Sequence, residues 1–202
     1  MVVILLSENQ FQKLISSFSL LPGIGKKSAT RIGFHVLRMD TSSFQAWING
    51  IREARENLHF CEVCGGLTED SICEICNSHK RDQSIVCVVE QPEDIFFIEN
   101  TKEYFGKYHV LNGSISPLDG IGPDQLRIPQ LLERLKNSNI TEVLVATNPT
   151  LEGDATASYI STIIKSFGIR VSRIAHGITI GGTIEYSDQY TLGKAIKSRL
   201  TI

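Results

Sequence analysis

"CEVCGGLTEDSICEIC", residues 61–76, holds four of the chain's five cysteines as two C-x2-C pairs separated by eight residues. Each pair lets two thiolates reach one tetrahedral ion, and the short spacer lets the pairs face each other. Four ligands close such a site, so Cys61, Cys64, Cys73 and Cys76 are expected to hold one structural Zn2+ per chain. Residues 59–80 are too short and too polar to fold by burial alone, and metal binding would supply their folding energy. His79 lies just outside the pattern, where a solvent-facing or supporting role suits it. Cys87, inside the apolar run "IVCVV", reads as a small buried hydrophobe. The cysteine segment also divides the chain, because the patterning on its two sides differs.

On the N-terminal side, Phe11, Leu14, Ile15, Phe18 and Leu21 recur at helical spacing over residues 8–21. "LPGIG" interrupts the pattern, "KKSATRIGFHVLRM" resumes it, and a third helix is expected over 42–58. Gly23 and Gly25 permit a tight turn with exposed backbone amides, and Lys26 and Lys27 open the next helix, whose N-terminus attracts anions. Lys27 and Arg31 are four residues apart and share a helix face, so the stretch suits phosphate. It is not a Walker A loop: Leu20 stands where a glycine is needed, and Lys27 where Ser or Thr should follow the lysine. A turn followed by a merely solvated basic face is the alternative reading.

On the C-terminal side, apolar runs alternate with amphipathic segments. Strands are expected at 84–89, 108–111, 142–147 and 169–175, and helices near 92–105, 124–137 and 153–167. That alternation predicts a mostly parallel sheet covered by helices. "NGSISPLDGIGPD" is a long Gly- and Pro-rich connection. The tail "IAHGITIGGTIEYSDQYTLGKAIKSRL" joins a glycine-broken extended stretch to a short basic helix. Arg173 and His176 there suit phosphate or a neighbouring subunit, with a plain C-terminal hairpin as the alternative.

The formal charge of −2 gives no bulk basic field, so any polyanion must be met by local patches such as the one between residues 23 and 38. "MVVILLSENQ" has neither a basic leader nor enough apolar length for a signal peptide or a membrane span. A cytoplasmic protein is expected.

"LPGIGKKSA" resembles the hairpin of helix-hairpin-helix DNA-binding modules. Followed by the four-cysteine segment, the "VVE" strand end, "LNGSISPLDGIGPDQL", "ATNPTLEGDATA" and "RIAHGITIGGTIEY", the order from about residue 8 onward is similar to the RecR family of bacterial recombination mediators. The resemblance implies a multidomain α/β protein. Its parts would be a helix-hairpin-helix module over 1–58, a four-cysteine zinc finger over 59–80, a Toprim-like domain with a mostly parallel sheet over 81–175, and an extended C-terminal tail over 176–202 that contributes subunit contacts. It also implies DNA binding without sequence preference and a homo-oligomer, a dimer or a tetrameric ring. RecO, and in many bacteria RecF, would be its partners in helping to load RecA on gapped or single-stranded DNA, and the protein would be nucleoid-associated during repair. On that reading Lys27 and Arg31, then Lys26, meet DNA, with Gly23 and Gly25 shaping the turn.

Catalytic Toprim domains hold magnesium with a glutamate after the first strand and a D-x-D pair after a later one. By the resemblance, Glu90 takes the first position, while Asn148 and Thr150 stand where the aspartates would be. Neither brings the negative charge that a hard cation wants. Glu152 and Asp154 remain close in sequence, so Glu90, Glu152 and Asp154 form an acidic cluster suited to a basic partner or to one weakly bound Mg2+, without catalysis expected. Tyr159, Tyr186 and Tyr190 read as packing or surface residues and not as nucleophiles. Two rivals stay open: a metal-dependent nuclease or topoisomerase-like enzyme built on the three acids, and a scaffold whose acidic pocket docks a basic partner.

Overall fold

The computed structural model describes residues 9–175, 177, 178 and 181–199, and the chain divides into two compact units at residues 58 and 59. His176 lies outside the described residues. The N-terminal unit is helical. Helix α1 (Gln10–Ser19) starts in a capping box in which Asn9 and Gln12 satisfy each other's backbone N–H. Helix α2 (Lys26–Arg38) packs on α1 at Ala29 and Gly33, both buried; a Cβ at Gly33 would come within 3.3 Å of the Phe11 ring, so the missing side chain is what lets the two helices approach. Phe11 and Phe34 complete that seam, with ring centres 4.7 Å apart. Helix α3 (Thr41–Asn57) is capped by Asp40 and meets α1 through Phe18 and Trp47.

The second unit begins with the cysteine segment: strand β1 (His59–Phe60), antiparallel to β2 (Leu67–Thr68), then the one-turn helix α4 (Glu74–Asn77). After it come β3 (Ile85–Val89), α5 (Pro92–Thr101), β4 (Lys107–Val110), α6 (Ile128–Lys136), β5 (Glu142–Ala146), α7 (Leu151–Ile164), β6 (Arg170–Arg173) and α8 (Gln189–Lys197). The four strands β3 to β6 form a parallel sheet in the order β4-β3-β5-β6. Along β3, Val86 and Val88 enter one core with Leu131, Val143, Val145 and Ile160, while Cys87 and Val89 enter the other with Ile95, Tyr108 and Val110. A strand covered on both faces needs apolar residues at every position, which is why "IVCVV" does not alternate.

Element boundaries shift where local chemistry intervenes. Helix α5 ends at Thr101 because Lys102 adopts a left-handed conformation (φ 59°), and Pro123 opens a separate 3-10 turn before α6. The Gly- and Pro-rich connection is ordered, with Ser116 and Ile121 bridged and Ser116 Oγ donating to Asp119 Oδ2 at 2.6 Å. Strand β4, expected at 108–111, runs one residue earlier, and all four of its residues "KYHV" are buried although two are polar. His109 is held by the Arg127 carbonyl at 2.8 Å, and burial pulls its pKa down to about 4, so the ring is neutral near pH 7.

The cysteine segment is joined directly to this sheet. Val110 N–H at the end of β4 donates to Cys64 O at 2.7 Å, and an added Cβ at Gly66 would strike Ile95 of α5. The tail folds back as well: Asp188 caps α8 through Thr191 N–H, and α8 returns to α7.

Candidate functional site

Three groups of residues carry chemistry. In the first, the four cysteine sulfurs all lie within 4.8 Å of one another, and Cys64 Sγ is 3.6 Å from Cys73 Sγ. A tetrahedral zinc with about 2.3 Å bonds to sulfur wants sulfurs roughly 3.8 Å apart, so the residues fit the ion. Among the described residues this is the one group of three or more His, Cys, Asp or Glu side chains gathered for a metal. Backbone N–H groups of Gly66, Cys73 and Cys76 point at Cys64, Cys61 and Cys73 sulfurs, at 3.3, 3.3 and 3.4 Å. Gly65 makes the first knuckle by taking φ +78°. Hydrogen bonds from Cys64 and then Cys76 hold the Cys73 thiol down at about 2, while the bond with Cys73 pushes Cys64 up to about 12 and Cys76 also rises. Binding of a divalent ion by four thiolates releases their protons. His79 is exposed and lies outside the sulfur group, and Cys87 is fully buried in the sheet.

The second group is the turn into α2. Gly23 takes φ +79° and so needs glycine, with Ile24 N–H closing onto Leu21 O at 3.1 Å. Gly25 is the N-cap of α2 at φ −77°, a conformation open to any residue, and it offers no side chain to the first-turn amides. A Cβ at either glycine would meet nothing within 4 Å. Lys26, Lys27 and Arg31 are all exposed. Further along, Ser28, Arg31, Ile32 and His35 line a shallow depression, and Arg38 ends the helix, so the basic face continues beyond the residues singled out from sequence.

The third group is the set of carboxylates beyond the carboxyl ends of β3 and β5, where ligands bind in open α/β sheets. The acids are there, but each is engaged separately. Glu90 is only 7% exposed and accepts Asn148 N–H at 2.9 Å and Asn148 Nδ2 at 2.7 Å. Asn148, expected by resemblance to stand where a metal-holding aspartate would be, thus binds the glutamate itself. Asp154 accepts from Lys194 Nζ at 2.6 Å and from Tyr190 Oη at 2.9 Å, and forms an ion pair with Arg173 at 2.6 Å. The Lys194 bond above all, with Tyr190 and Arg173, holds its carboxyl well below the usual carboxylate range. Glu152 is half-buried in the first turn of α7. The three carboxylates are not brought together as a ligand set for one ion. Between α5, the end of β5 and α8 lies a cavity of about 610 Å3 lined in part by Phe97, Asn148, Ile174, Tyr190 and Lys194.

Arg173 therefore meets a carboxylate of its own unit, and Tyr190 bonds Asp154, while Tyr159 and Tyr186 are exposed. Sequence reasoning missed Lys194 and the bonding of Asn148 to Glu90. The only available signals were the basic character of the tail helix and the amide in place of an acid.

Three family models match consecutive stretches: the RecR helix-hairpin-helix over residues 11–55, the four-cysteine zinc finger domain of RecR over 58–78, and the Toprim domain over 84–175. A protein described as "Recombination protein RecR" from Thermobifida fusca (strain YX) is 45% identical over 192 residues, covering 95% of this chain and 96% of that protein. No described helix is long and apolar enough to cross a membrane.

Proposed function

The chain belongs to the RecR family of recombination proteins, and from that premise we propose that it acts as a mediator in recombinational DNA repair and not as an enzyme. The observation that carries the reading is the exposed basic entry to α2: Lys26, Lys27 and Arg31 follow a glycine turn whose helix N-terminus has no side-chain cap. Contacts of this kind neutralise phosphate and read no base edge, so binding is independent of sequence and weakens steeply with salt. One hairpin is a weak binder, and several copies arranged as a dimer or tetrameric ring gain affinity through multiplicity. The helical unit supports association between copies, since Leu20, Leu37 and Ile51 are more than half exposed while only Ala29 and Gly33 of its three helices are buried. In this scheme the parts are 1–58, 59–80, 81–175 and 176–202. RecO, and RecF in bacteria that use it, are the partners in loading RecA, and the protein works in the cytoplasm at the nucleoid.

The test is DNA binding across a salt series by the protein and by its Lys27→Glu/Arg31→Glu variant, with mass in solution measured in parallel. Loss of affinity and a flatter salt dependence at unchanged mass support the reading, and unchanged binding removes the hairpin from it. The enzyme alternative has its own assay, since magnesium- or manganese-dependent nicking lost in Glu90→Gln would replace the mediator reading.

A further inference from the structure

Lys107 opens β4 with its side chain in the protein interior, the whole residue being only 3% exposed. Its ammonium donates to three carbonyls on the second cysteine knuckle: Ile75 O at 2.7 Å, Cys76 O at 2.9 Å and Ser78 O at 2.7 Å. An ammonium has three N–H donors and no acceptor, so these three bonds satisfy it completely. The three carbonyls belong to α4 and its C-cap, where the unpaired oxygens of a helix end collect and where a cation is favoured. Helix α4 is only four residues long, too short to be stable by itself, and its apolar anchor is Ile75, packed against the neighbouring core that includes Tyr108. It nonetheless carries Cys76, the only one of the four sulfur ligands whose residue is not fully buried.

Position and charge agree. Four thiolates around one Zn2+ leave two negative charges in excess, and an apolar interior penalises such an excess unless a cation stands nearby. Lys107 is fixed from its own side as well. Its carbonyl accepts Tyr104 Oη at 2.7 Å, and in the sheet it is registered against Val86. The other knuckle is held from the same strand, through Val110 N–H and Cys64 O. One strand of the α/β domain thus grips both halves of the finger, one by a backbone bond and one by a buried ammonium.

We propose that Lys107 is the positioning residue of the zinc centre: it holds Cys76 in ligand geometry and supplies the counter-charge that keeps the ion bound. Partners that support metal ligands from outside the coordination shell are commonly worth roughly 10- to 100-fold in metal affinity. The full chain loaded with zinc is challenged with a chelator, and release is compared between the protein, Lys107→Met and Lys107→Gln. Global unfolding rates are measured on the same samples. The expected result is release roughly 10- to 100-fold faster in Lys107→Met than in the parent, well beyond any change in unfolding rate, with Lys107→Gln between them because its amide keeps two donors. In the cobalt-loaded protein, Lys107→Met is expected to weaken the thiolate-to-metal charge-transfer band as Cys76 drifts away. If Lys107→Met does not fold, Lys107→Gln carries both measurements. Release and cobalt spectra identical to the parent would overturn the proposal, as would faster release that only keeps pace with faster unfolding.

Discussion

The second unit gathers one set of metal-ligating side chains, the four cysteines, and keeps another, three carboxylates, apart. At residues 61–76 four sulfurs converge within 4.8 Å of one another, a spacing that suits one tetrahedral ion. Beyond β3 and β5 lie three carboxylates, of which two are already bound to the protein: Glu90 to the Asn148 amide, and Asp154 to Lys194, Tyr190 and Arg173. The difference teaches that ligand type and location do not make a metal site. A site needs donors whose best available partner is the ion. The sulfurs face one another and a few backbone N–H groups, whereas the carboxylates have an amide and two cationic side chains at hydrogen-bond distance.

The comparison is broken most severely by removing what the sulfurs await. Cys73→Ser, or exhaustive chelation, should strip the stoichiometric zinc and with it binding energy on the order of 10 kcal/mol, since metal binding and folding of such a segment are one event. Metal analysis and hydrogen exchange over residues 59–80 measure this. A metal-free protein with full amide protection there would contradict it.

A smaller but still large effect should follow from Gly153→Ala, because the new Cβ would stand 2.0 Å from Asn148 O and 2.9 Å from Glu90 Oε1. The neighbour at 2.0 Å is backbone and cannot turn aside, so a loss of about 3 kcal/mol is expected in denaturant unfolding. A loss below about 1 kcal/mol would mean that the Glu90–Asn148 clamp is pliable and that the carboxylate end is less fixed than the cysteine end.

The smallest effect should come from Asp154→Asn, which removes the charge that draws α8 in. Asp154 is partly exposed, so about 1 kcal/mol or less is expected, confined to α8 and visible in the amide signals of Ala195 and Ile196. The pH dependence has a definite sign. Asp154 is depressed in the folded state, so its contribution is complete above the ordinary carboxylate pKa of about 3.9 and is lost as pH falls below that value. The parent's α8 signals should shift in acid, and those of Asp154→Asn should not follow this step.

Much of this was legible in the chain because the features close locally. The knuckles are short C-x2-C pairs, the Gly23 turn is made by its own backbone, and the period-free run at 85–89 announces a strand covered on both faces. Strand β4 lies one residue from its expected place, but the burial of its Lys107 and His109 was not legible, because they look like surface residues until their carbonyl partners are known. The tail reads as a glycine-broken extended stretch joined to a short basic helix. Its α8 returns to α7, forty positions earlier, by the bond from Lys194 to Asp154.

The sequence alone determined the family, the four cysteines gathered for zinc and the glycine turn into a basic helix, since residue identity and short spacing decide all of these. Only the tertiary structure decided where the charges went. Glu90 meets Asn148 across 58 positions, and Lys107 reaches the second knuckle across about thirty. Such pairings depend on distances of a few ångströms fixed by the stacking of strands and helices, and no spacing along the chain encodes them.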